Sequence, residues 1–267
     1  MKLWSENPGK RAAQRLYLAY MPVWGAICGV VMLGGLADRW GDGALLGLGL
    51  GLWILLLVAG FVLRAPEDRG RPFHQLYHFK LSVFTAAFAF LGNYFGTRYF
   101  YEILDMHYGF HATWNLNDVP LFLYPLTAVY FTTYSVLFDL ALRVAGPRRA
   151  VAVVVASLLL AGMETSLNAN PAMKASFCYG NLGFALGFGT LMYGSHFMIA
   201  GPCWHRIDEG RGECTPLREV VFSVLAAFML VLCVDEGFEH VLAPHVTTVV
   251  VGRVGIPGKQ GPSCLAR

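Results

Sequence analysis

The sequence predicts an all-α, polytopic membrane protein: a bundle of about seven transmembrane helices with its N-terminus in the cytoplasm. Three observations predict it. The chain is 56% hydrophobic and only 14% charged over 267 residues, too apolar for an ordinary soluble domain. The apolar residues are gathered into long runs, and a hydrocarbon core about 30 Å thick needs about 20 such residues in a helix. The short loops between the runs alternate between rich and poor in Lys and Arg.

Seven stretches are long enough: residues 16–36, 44–63, 81–101, 119–142, 151–167, 177–200 and 220–242. The first follows a polar, basic stretch, exceeds a signal-peptide core in length and lacks a small-residue cleavage site, so it reads as a retained helix. The second carries Gly43, Gly47 and Gly51 at every fourth position, with Gly49 between. With no preceding strand and no Lys this is no phosphate loop, and small residues four apart allow close helix approach in lipid. Gly183 and Gly187 repeat the device in the sixth. The third and fourth carry polar residues at their ends. No loop is long enough for a second domain, so residues 1–267 read as one integral membrane domain.

Counting Arg98 with the loop it borders, Lys plus Arg runs four, one, four, one, three, one, three from the N-terminus, with three more in the tail. Cytoplasmic loops hold the excess of basic residues. The N-terminus is then cytoplasmic and the C-terminus lies opposite, where the basic tail breaks the pattern and leaves a re-entrant seventh segment as the alternative. The net charge of +3 with basic residues at helix ends argues for lipid headgroups, not nucleic acid. The six cysteines form no CxxC pair; Cys28 and Cys233 read as apolar fillers, and neither a disulfide framework nor a zinc site is expected.

Ionisable groups inside spans mark function or a buried pair. The topology gathers Asn93, Tyr94, Arg98, Tyr99, Glu102, Asp118, Glu164, Asn168, Asn181, Asp235, Glu236, Glu239 and His240 toward the non-cytoplasmic side. His78, Lys80, Asp139 and His196 fall in the cytoplasmic halves. Glu164 follows an unbroken apolar run from Val151 and reads as functional. Glu236, Glu239 and His240 read as i,i+4 pairs at a helix end. Asp139 pairs with Arg143 at the interface, and Tyr17, Tyr20 and Trp24 belong to an interfacial aromatic belt. His74/His78 and His107/His111 have the spacing of a di-iron oxidase box, but the topology divides them and no His-x-x-His-His follows.

Gly92-Asn93-Tyr94-Phe95-x-Thr97-x-Tyr99-Phe100, followed by Asn117-x-Val119-Pro120, resembles the cycloeucalenol cycloisomerases, the cyclopropylsterol isomerases of plant sterol synthesis. The likeness extends to Glu6-x-Pro8-x-Lys10-Arg11, Tyr20-x-Pro22-x-Trp24, Tyr77, Lys80, Glu164-Thr165, Arg206-x-Asp208-Glu209, Asp235 and Gly261-x-x-Cys264-Leu265, in order along nearly the whole chain. Where the family carries Asn before Val-Pro, this chain has Asp118. The Gly- and Ala-rich loops point to a bacterial relative.

The resemblance implies an intramembrane isomerase that opens the 9β,19-cyclopropane ring of a sterol to a Δ8 sterol without a cofactor. Such chemistry needs a carboxylic acid kept protonated by desolvation, aromatic faces for a cation and an apolar slot. Glu164 is the expected donor, with Asp235 second, Asp118 a further carrier, and Tyr94 and Tyr99 as relay or cation-facing groups. Asn93, Phe95, Thr97, Phe100, Trp114, Asn117 and Asn168 are the expected substrate contacts, with no metal. The partners implied are a sterol and bilayer lipid, with no nucleic acid and no obligate protein partner. The location is the endoplasmic reticulum in a eukaryote or the inner membrane in a bacterium. The alternatives are a sterol or lipid carrier, or a transporter, although inverted repeats and broken helices are not evident; a His-box oxidase ranks behind both.

Overall fold

The computed structural model describes residues 3–97 and 99–242, with Glu102, Glu239 and Leu242 as backbone only. Arg98 and the Gly261-x-x-Cys264-Leu265 motif lie outside the described residues. The long helices are α1 (Pro8–Leu33), α2 (Asp42–Val62), α3 (Tyr77–Phe95), α4 (Leu123–Ala145), α5 (Arg149–Asn168), α6 (Leu182–Arg206) and α7 (Leu217–Gly237). The all-α membrane architecture is therefore as expected.

Among the described residues, five stretches are long and apolar enough to cross a membrane: Pro8–Leu33, Asp42–Val62, Leu123–Asn168, Leu182–Arg206 and Leu217–Gly237. The third of these is 46 residues long, about twice what a bilayer requires. It turns at Gly146, where φ is +57°, so that α4 and α5 pack against each other. α3 is less apolar, holding His78, Lys80 and Asn93. Seven crossings thus require α3 and both halves of the 46-residue stretch to span.

Several expected boundaries are corrected. α1 begins at Pro8, well before residue 16, because Asn7 caps it by accepting hydrogen bonds from the backbone N–H of Gly9 and Lys10 at 3.0 and 3.2 Å. α3 ends at Phe95 rather than near residue 101. Residues expected to open the fourth and sixth spans are strands instead. β1 (Met106–Tyr108) pairs antiparallel with β4 (Phe177–Tyr179), and β2 (Asn115–Leu116) pairs with β3 (Val119–Pro120). Asn181 then caps α6 by accepting from the Phe184 N–H at 2.9 Å. Cys178 in β4 is disulfide-bonded, although the cysteine spacing carried no sign of a bridge. Cys28, Cys203, Cys214 and Cys233 are free.

α4 is the hub, buried along most of its length and packed against α1, α2, α3, α5 and α6. The glycines that permit this are not those the every-fourth pattern selects. A Cβ added at Gly43, Gly47 or Gly51 meets nothing within 4 Å, whereas at Gly49 it falls 2.6 Å from the Phe122 carbonyl oxygen beside α4. On α6, Gly187 is likewise open, and Gly201 is the close one, 2.3 Å from the Phe138 ring. A small-residue pattern shows where helices can approach, and the partner helix decides which glycine is used.

Candidate active site

An apolar cavity of about 600 Å³ opens among α1, α3, α4, α5, α6 and α7, a size that suits a rigid multi-ring lipid. Trp24, Phe88, Phe131, Phe177 and Phe228 line it, and Glu164, His196 and Asp235 are the carboxyl and imidazole side chains among the described lining residues. Trp24 points inward and donates from Nε1 to Thr133 Oγ1 at 3.1 Å. Tyr17 and Tyr20 also face the interior, bonded to His78 Nδ1 at 2.7 Å and the Leu52 carbonyl at 2.9 Å. The interfacial-belt reading of these three is corrected: each has a polar partner on a neighbouring helix.

Glu164 on α5 sits within a ring of phenols. Tyr193 on α6 donates to its Oε2 at 2.8 Å, Tyr130 and Tyr134, one turn apart on α4, flank its carboxyl, and the Tyr130 hydroxyl donates to Thr127 Oγ1 at 3.2 Å. The α5 and α6 contributions meet because these two helices pack along their length. Asp235 on α7, which also lines the cavity, is hydrogen-bonded to His196 Nε2 on α6 at 2.8 Å. His196 was expected in the opposite half of the membrane. Because α6 starts at Leu182 instead of 177, His196 moves to mid-helix and reaches Asp235.

The sequence-predicted residues divide into two groups. Glu164, Asp235, Asn93, Phe100 and Asn168 line the cavity together. Asn93 is held by its Nδ2, which donates to the Ala89 carbonyl at 2.9 Å and to Thr127 Oγ1 at 3.0 Å. The others lie away from it. Asp118 and Asn117 form the exposed turn between β2 and β3 with φ of +62° and +50°, a backbone that Asn and Asp tolerate. Asn117 ties that turn to α3 through the Tyr94 carbonyl and Thr97 Oγ1. Tyr94 stacks on Phe90 at 6.1 Å, and Phe95 and Trp114 are exposed. Tyr99 is buried with its hydroxyl on the Gly189 carbonyl at 3.2 Å, its ring 6.0 Å from that of His196. Tyr130, Tyr134, Tyr193 and His196 were missed as site residues. Their signal was present, as polar aromatics at i,i+4 on α4 and i,i+3 on α6.

No protein-family profile matches the chain, and no solved structure matches it either. Cycloeucalenol cycloisomerase of Arabidopsis thaliana is 27% identical over 277 aligned positions, covering 98% of this chain and 94% of that protein. The chain is similar to that enzyme along nearly its whole length.

The residues that carry the resemblance, scattered along the sequence, meet in the fold. At the end of the bundle opposite β1 to β4, Lys10 lies fully buried, donating to the carbonyls of His205 and Ile207 at 2.6 and 2.9 Å. It pairs with Asp139 at 3.3 Å and Glu209 at 2.8 Å and lies over the Tyr77 ring at 5.1 Å. Arg143 chelates Glu209 through two nitrogens at 2.9 and 2.7 Å, and Gln14 and His205 complete the shell of Asp139. Burial disfavours the Glu209 carboxylate, but its bonds to Arg143 and Lys10 outweigh this and hold its pKa below the ordinary value. Asp139, His205 and Glu209 have metal-ligand spacing, with donor atoms within 4.8 Å of one another; the Lys10 ammonium fills the space between the two carboxylates. Lys80 and Asp208 form a second buried pair at 2.5 Å. Lys10 and Lys80 are thus turned inward, and the expected Asp139–Arg143 pair forms at 3.6 Å as part of this network.

Neither spaced histidine pair shares a helical turn. His74 lies in a 3-10 turn before α3, and His78 lies within α3, bonded to Tyr17 and the Leu57 carbonyl. His107 lies in β1, bonded to Asp105, and His111 in the following loop. His240 bonds Glu236 at 3.0 Å in the open, which bears out the helix-end reading of that pair.

Proposed function

We propose that the chain is an intramembrane sterol isomerase that opens the 9β,19-cyclopropane ring of a cycloeucalenol-like sterol to give a Δ8 sterol. One observation carries this reading beyond the family likeness. A carboxyl, Glu164, lines a sterol-sized, mostly apolar cavity, where the Tyr193 hydroxyl donates to it and Tyr130 and Tyr134 flank it.

In this reading Glu164 delivers a proton to C19. The C9–C19 bond pair becomes the new C19–H bond, and positive charge develops at C9. The faces of Trp24, Phe88, Phe131 and Phe228 around the cavity favour such a cation. Loss of the C8 proton places the double bond between C8 and C9. Substrate and product are isomers, so the atom balance requires no redox partner. The phenols keep the Glu164 side chain in one orientation against the apolar wall, which is the positioning that general acid catalysis requires.

The test is to express the protein in membranes lacking sterol isomerases and supply a cyclopropyl sterol. A Δ8 product carrying solvent deuterium in its C19 methyl is the expected result, and Glu164→Gln abolishes it. Bound but unconverted sterol in the wild type would make the protein a carrier. Conversion that depended on iron, oxygen or NADPH would exclude the protonation mechanism.

A further inference from the structure

We propose that His196 is the catalytic base that takes the C8 proton and that Asp235 is its positioning residue; the assignment rests on the isomerase reading above. His196 and Asp235 line the same cavity as Glu164. An ionised carboxylate only accepts hydrogen bonds, so the 2.8 Å contact places the imidazole proton on Nε2. Nδ1 is left with its lone pair, and it makes no hydrogen bond among the described residues. This is the arrangement in which a carboxylate fixes the tautomer of a histidine base.

The placement matches the reaction. C19 and C8 are both bonded to C9, so donor and acceptor must reach adjacent points on one substrate. Tyr193 and His196 stand three residues apart on α6 and are neighbours on its surface, with rings 5.7 Å apart. One binds Glu164 and the other binds Asp235. The same helix therefore keys acid and base to neighbouring positions on the cavity wall. In the step, the C8–H bond pair becomes the C8=C9 double bond and the proton passes to His196 Nδ1. Glu164 is left as carboxylate and His196 as imidazolium, and return of one proton from His196 to Glu164 resets the site. Tyr193, which adjoins both, is the group through which it returns.

The experiment compares wild type, His196→Ala, Asp235→Asn and Glu164→Gln in membranes, with a cyclopropyl sterol in deuterated water. General base catalysis contributes about 10²–10⁴-fold, so His196→Ala should lose at least a hundredfold in Δ8 formation. It should still protonate C19, so that deuterium enters the cyclopropane methylene of recovered substrate, or the cation loses a different proton to give a Δ9(11) isomer. Glu164→Gln should show neither. Added imidazole should restore Δ8 formation to His196→Ala, and Asp235→Asn should respond to imidazole far less. Unchanged Δ8 turnover in His196→Ala overturns the base assignment. So does a loss with neither exchange, altered regiochemistry nor imidazole rescue. Failure of the wild type to convert any cyclopropyl sterol overturns the isomerase reading itself.

Discussion

The Tyr193 hydroxyl on α6 donates to Glu164 Oε2 on α5 at 2.8 Å, joining two helices by a polar contact at the cavity wall. Removing that hydroxyl leaves the ring in place. A hydrogen bond to a charged group is worth about 1.5–3 kcal/mol, so Tyr193→Phe should lower isomerase turnover by about ten- to a hundredfold. Sterol binding should hold. A larger effect on binding than on turnover would show that Tyr193 shapes the slot rather than the acid.

Lys10 neutralises two carboxylates in a space closed to solvent. Breaking a buried ion pair by deleting one partner costs about 3–5 kcal/mol. Lys10→Met should therefore lower the thermal midpoint of the detergent-solubilised protein sharply. Adding Asp139→Asn should recover part of the loss, because it removes a charge left without its counter-ion. A double variant no more stable than Lys10→Met would deny the coupling.

Acid should attack the same network through Glu209. Its folded pKa is depressed, so its contribution is present above the ordinary glutamate value of about 4.3 and is lost as pH falls through the folded value. Midpoint against pH should show wild type falling below about pH 4. Glu209→Gln should start lower at neutral pH and fall less on acidification. Parallel curves would remove Glu209 from the account.

Glycine substitutions on α2 should separate by position. Gly49→Ala sets a methyl 2.6 Å from the Phe122 carbonyl oxygen, and overpacking typically costs about 1–3 kcal/mol. Gly47→Ala meets nothing within 4 Å and should be neutral, or gain up to about 1 kcal/mol from helix propensity. Thermal midpoints of the two single variants decide this, and equal effects would contradict the helix contact.

The split of the candidate site follows from what a motif records. Asn117 and Asp118 stood out because turns with positive φ demand such residues, and near-identical chemistry serves catalysis and turn formation alike. Lys10, Tyr77, Lys80, Asp208 and Glu209 stood out for their place in the bundle lock. Glu164 was legible as a group that lines the cavity because a lone carboxyl after a long apolar run is costly in lipid unless it faces the bundle interior. His196 was not, since its partner is 39 residues away on another helix.

By itself the sequence determined the apolar helical segments, the membrane character and Glu164 as a deep acid, because these depend on local hydrophobicity and on the cost of charge in lipid. Tertiary structure decided which polar groups meet. The strand pairing of β4 shifts the start of α6, the Gly146 turn folds α5 back on α4, and helix packing then sets Tyr193 on Glu164 and His196 on Asp235. Those pairings depend on the depth and rotation of one helix against its neighbours, which long-range contacts set and no local run of residues encodes.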